Sequence, residues 1–107
     1  MSDGRDVVSA LIAELNDNYP KVVEQLPDSK TALEEIIEGY KNIQKKFYLK
    51  TQGGTDAATE CTTFFNEMVA SLNSGAGTQE IQEKFNAFAE PSRNLIHTAS
   101  TWVIRMT

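Results

Sequence analysis

Apolar side chains return every three or four positions from one end of this chain to the other. In the first segment Val8, Leu11, Leu15, Tyr19, Val22 and Leu26 form one stripe, with Val7, Ile12 and Val23 beside it. An α-helix turns once in about 3.6 residues, so this spacing gathers them on one face and predicts an amphipathic helix. Pro27-Asp28-Ser29 punctuates the chain, because proline cannot extend the hydrogen-bond ladder while Asp and Ser can cap a new helix. The second stripe is Leu33, Ile36, Ile37, Tyr40, Ile43 and Phe47. It is opened by Thr31 and Glu34 as a capping box, or by Ser29, and closed by Thr51-Gln52-Gly53-Gly54. Thr55 or Asp56 then caps a third helix, which buries Ala58, Cys61, Phe64, Phe65, Met68, Val69 and Leu72 and ends at Asn73-Ser74-Gly75-Ala76-Gly77. A fourth begins at Thr78 and turns Ile81, Phe85, Phe88, Leu95, Ala99, Trp102 and Met106 inward.

Amphipathic helices joined by short connections predict an all-α fold, an antiparallel four-helix bundle, with residues 1–107 as one helical-bundle domain. Pro20 and Pro91 fall inside the first and fourth helices. Each removes a backbone donor and crowds the carbonyl four residues earlier, that of Asn16 or Ala87. The apolar phase survives both positions, so these helices are expected to be kinked or broken there with the same face kept inward.

Composition narrows the function classes. Hydrophobic residues make up 40% of the chain and charged residues 23%, outside the regime of disorder, so a core needs no staple. The net charge of −5 disfavours a general nucleic-acid site, and no nucleic-acid partner is expected. Cys61 is the single cysteine, which excludes an intramolecular disulfide and a CxxC motif. Neither a secretory leader nor an apolar run long enough to cross a bilayer can be read. No membrane insertion is expected, and the expected location is cytoplasmic, with leaderless export left open.

Catalytic chemistry is approached by exclusion. His97 is the only histidine, so paired-histidine metal sites cannot be built from one chain. Glu34, Glu35 and Glu38 stand where carboxylates favour a helix start, and successive residues there point about 100° apart, so neither a metal nor a cofactor is expected. Cys61 sits on the apolar stripe, where it reads as a small core residue; pairing it with His97 would be the one route to a nucleophile and base. No P-loop or Gly-x-Ser-x-Gly elbow occurs. The chain is therefore expected not to be an enzyme.

The segment Ile96-His97-Thr98-Ala99 resembles the acceptor helix of histidine phosphotransfer domains, which are helical bundles of similar size. That resemblance implies His97 as a phosphoacceptor in signalling. It departs from the family at Ser100 and Thr101, where the family carries lysine and glycine.

Two surface features remain. Lys41, Lys45, Lys46 and Lys50 are interleaved with Tyr40, Phe47, Tyr48 and Leu49, giving a basic helix end suited to an acidic partner. Phe47, Tyr48 and Leu49 cannot all face one core, and Ile104 lies off the fourth stripe, so apolar surface is in surplus; Trp102 reads as a core anchor. The expected function is a small non-enzymatic protein-binding bundle, of adaptor, chaperone, inhibitor or immunity type. Its partner-binding set is Lys45, Lys46, Tyr48, Leu49, Lys50 and Ile104. The alternatives are phosphotransfer through His97 and a small-ligand pocket among Phe64, Phe65, Phe85, Phe88 and Trp102. Homodimerisation through the first and fourth helices stays open.

Overall fold

The computed structural model describes residues 3–102. Its helices are α1 (Gly4–Gln25), α2 (Lys30–Ile43), α3 (Gln52–Asn73) and α4 (Thr78–Thr101), with 3₁₀ turns at Pro27–Ser29 and Phe47–Lys50. Among the described residues the four predicted stripes face inward except at Phe47 and Trp102; Met106 lies outside the described residues. Val8, Leu11, Leu15, Leu33, Ile36, Tyr40, Phe65, Met68, Ile81 and Phe88 are all buried in one core.

Consecutive helices run antiparallel, as expected, but they do not sit in sequential order around the bundle. The start of α1 lies against the start of α3, where the Gly4 amide donates to Oγ1 of Thr55 at 3.1 Å. Ser29 meets Gln82 and Tyr40 meets Ser92 in the same order along α2 and α4. Thus α1 and α3 are parallel neighbours, as are α2 and α4, while α1–α4 and α2–α3 form the diagonals. The α2–α3 connection must therefore cross one end of the bundle, and its 3₁₀ turn packs on α1, α3 and α4.

Both prolines lie within unbroken helices: α1 runs through Pro20 and α4 through Pro91. Of the two expectations, the break is ruled out. Ahead of Pro20, the Asn18 side chain donates to the Glu14 carbonyl at 2.9 Å, giving this buried amide a partner inside its own helix.

Three boundaries differ from the sequence reading. The predicted second helix continued to Lys50, whereas α2 stops at Ile43 and the chain turns extended at Lys46 (ψ 143°). The cap of α3 is Thr51, four residues before the expected Thr55, so Gly53 and Gly54 open α3 instead of closing α2. Ser29 is the N-terminal flank of α2 but makes no cap bond; its hydroxyl donates to Gln82, and Glu34 accepts from Tyr19 at 2.7 Å. The end of α3 is as read. Gly75 is left-handed (φ 76°), and the Ala76 and Gly75 amides return to the Ser71 and Leu72 carbonyls in a Schellman closure.

Candidate functional site

The crossing end of the bundle is fixed by a small polar mesh. Thr51 Oγ1 accepts from the Gly54 amide at 3.0 Å and donates to the Tyr48 carbonyl at 2.6 Å, so one hydroxyl caps α3 and holds the 3₁₀ turn. Thr55 Oγ1 donates to the Leu49 carbonyl at 3.1 Å while accepting from the Gly4 amide, tying α1, α3 and the turn together. The approach is close enough to demand glycine. A Cβ on Gly4 would stand 2.5 Å from the Leu49 carbonyl oxygen, and one on Gly54 would overlap the Tyr48 carbonyl.

This anchoring decides which side chains point out. Leu49 is fully buried and plugs the end of the core, so it lies out of reach of any partner, contrary to its place in the expected binding set. Phe47, assigned by spacing to the buried stripe, is 49% exposed. Trp102, expected as a core anchor, is 38% exposed because α4 ends at Thr101 and the chain turns extended at residue 102 (ψ 132°). The Phe47 and Trp102 rings stack with centroids 5.7 Å apart and planes 11° apart, and half-buried Tyr48 tilts against Trp102 at 5.8 Å.

Lys50 places its ammonium 5.3 Å from the centre of the Phe47 ring, within cation–π range. Lys45 and Lys46 are exposed at the mouth of the same turn. None of these three lysines has a carboxylate within 4 Å among the described residues. Ile104 lies outside the described residues. The structure thus unites Lys45, Lys46, Tyr48 and Lys50 of the expected set and removes Leu49. It adds Phe47 and Trp102, whose meeting depends on two helix ends that carry no glycine or proline to announce them.

Tyr48 also reaches a shallow cleft of about 190 Å³ between α3 and α4. Ala57, Leu95 and Pro91 give it apolar walls, and Glu60 sets a carboxylate at its edge.

The remaining candidates are dispersed. Cys61 is buried, with its thiol pushed up by desolvation, and it borders the α3–α4 cleft. His97 is exposed on the α2–α4 side, beside Glu35 and Arg93, so the Cys61–His97 pairing is not assembled. No group of three or more metal-ligating side chains occurs among the described residues. The aromatic set proposed for a ligand pocket is split: Phe65 and Phe88 pack at 5.3 Å inside the core, Phe85 is buried, and Trp102 stands outside.

One polar cluster was not foreseen. Tyr40 of α2 donates to Ser92 Oγ of α4 at 2.7 Å deep in the core, next to the Cys61 thiol. Burial pushes the Tyr40 hydroxyl far up, and Cys61 adds to the shift. Its partners are mutual, and no buried side-chain N or O atom among the described residues lacks one. This cluster joins α2, α3 and α4 inside the core.

Comparison with known proteins finds no matching family model, no matching curated protein and no matching solved structure.

Proposed function

We propose that this chain is a non-enzymatic protein-binding helical bundle, and that it docks through the ring platform at the crossing end. The observation that carries the reading is the stacked, exposed pair Phe47–Trp102. Among the described residues these two are the large apolar side chains that stay exposed, Phe47 at 49% and Trp102 at 38%, while the others are buried or half-buried. An exposed aromatic pair at a rigid end has the character of an interface hot spot, since large rings release much water on contact and lose little freedom. The Thr51 and Thr55 bonds hold the turn in place, so little ordering remains to be done on binding.

The site disfavours the other readings. The charged side chains at this end are Lys45, Lys46, Lys50, Arg5 and nearby aspartates, and none of them is set as a base against a nucleophile.

The test is partner capture by the full chain and by Phe47→Ala and Trp102→Ala variants, with Ala13→Gln, on the exposed flank of α1, as control. Saturable recovery of a protein by wild type and control, lost in both ring variants with helicity intact, is the expected result. Equal recovery by the folded ring variants would remove the site.

A further inference from the structure

The surroundings of the platform specify what kind of segment fits it. Resting on the docking reading above, we propose that the occupant is an acidic amphipathic segment of another protein, with carboxylates against Lys45, Lys46 and Lys50 and one apolar side chain in the α3–α4 cleft.

The charge argument is local. The chain carries a net −5, yet its exposed ring pair is bordered by three lysines, one of them directly over the Phe47 face, and none is engaged by a carboxylate among the described residues. Attraction between these lysines and carboxylates on an approaching segment raises the encounter rate and suppresses basic competitors. Tyr48 links the two halves of the site, since it packs on Trp102 and also lines the cleft. The cleft volume of about 190 Å³ accommodates one apolar side chain. Glu60 at the cleft edge repels a second carboxylate there. The segment is therefore polar in a defined order, with acid over the platform and an uncharged anchor in the cleft.

Other occupants fit less well. A planar anionic bilayer would press on the whole end, where Asp6 and Asp56 are exposed and Asp3 is paired with Arg5, while a narrow segment follows only the lysine side. A second copy placed face to face would bring two lysine rims together. A nucleic-acid strand leaves the apolar cleft unused and meets Glu60.

The experiment uses two synthetic helical peptides with identical leucine spacing, one flanked by glutamates and one by lysines, titrated into the full chain. Trp102 is the only tryptophan, so its emission reports contact at the platform directly. The expected result is a saturable shift with the acidic peptide, at least about tenfold tighter than with the basic one and weakening as salt is raised. Charge reversal at Lys45→Glu, Lys46→Glu and Lys50→Glu together should invert the preference, and Ala57→Leu should weaken binding by filling the cleft. Equal affinity for both peptides overturns the inference. If Phe47→Ala abolishes both, docking at the platform still stands and only the charge selection falls. No response to either peptide from a chain of native helicity also overturns it, as does a Trp102 shift produced only by phosphatidylserine vesicles or by an oligonucleotide. In those cases the capture experiment alone judges the docking reading.

Discussion

Tyr40 and Ser92 meet by a 2.7 Å hydrogen bond that joins α2 to α4 inside the core, with both residues fully buried. In this low-dielectric setting, removing one partner costs more than removing both, because the survivor keeps its desolvation penalty without a bond. Tyr40→Phe and Ser92→Ala should each lower unfolding free energy by about 1–3 kcal/mol. The double variant should lose less than the sum of the two. Urea titration of the three variants measures the coupling, and strict additivity would show that the bond contributes nothing of its own.

The crossing turn makes neighbouring glycines respond oppositely. A methyl group at Gly54 collides with the Tyr48 backbone, which cannot move without loosening the Thr51 and Thr55 bonds. At Gly53 the nearest foreign atom to such a group is the Tyr48 hydroxyl at 3.5 Å, an ordinary contact. Gly54→Ala should destabilise by roughly 1–3 kcal/mol, as overpacking does. Gly53→Ala should be neutral or stabilising by up to about 1 kcal/mol, because alanine loses less backbone freedom in a helix. Thermal unfolding of the pair decides it; equal melting points would mean the turn does not sit this tightly on α3.

Adjacent residues in the turn also separate structure from surface. Leu49→Ala opens a cavity in a sealed core and should cost about 2–5 kcal/mol. Phe47→Ala and Trp102→Ala dissolve an exposed stack, a loss of about 0.5–1.5 kcal/mol each. Phe47→Ala should in addition shift Trp102 emission to the red, since the indole loses its cover. Chemical denaturation with fluorescence detection covers all three. An unchanged emission maximum in Phe47→Ala would contradict the stack.

The four stripes were readable because helical burial imposes its period directly on sequence, and the Gly75 closure because a left-handed residue has few tenants. The candidate site was only half readable, for a physical reason. Ile43 to Phe47 is a helical step, so periodicity carried the second helix through a turn that Lys46 in fact makes without glycine or proline. Trp102 likewise continues the Leu95–Ala99 phase, but phase loses its meaning one residue past the end of α4. Gly53-Gly54 looked like a terminator because glycine is weak in helices; its requirement comes from the Tyr48 backbone, which is a tertiary contact. The diagonal order of helices leaves no mark in any single stripe. The lysines and Tyr48 were found from composition and crowding, whereas the Phe47–Trp102 meeting needed the ends of α2 and α4 brought together.

Alkaline pH tests the buried cluster from a different direction. Folding raises the Cys61 thiol above its ordinary 9.0 and the Tyr40 hydroxyl above its ordinary 10.0, in both cases chiefly because burial penalises the charged form. The folded chain thus holds these two protons more tightly than the unfolded chain does. Below about pH 9 both states keep them and the contribution of the cluster is complete. As pH rises the unfolded chain releases its protons first, so unfolding is favoured, with a slope of at most about 1.4 kcal/mol per pH unit for each proton. Stability should therefore hold up to about pH 9 and then fall. Cys61→Ala, though less stable at neutral pH, should show a shallower decline that begins closer to pH 10, where Tyr40, and Tyr19 with its hydroxyl bonded to Glu34, remain. Denaturant midpoints across this range give the answer, paired with thiol labelling that is slow in the native chain and fast in urea. A Cys61→Ala profile parallel to wild type would place the alkaline transition elsewhere in the molecule.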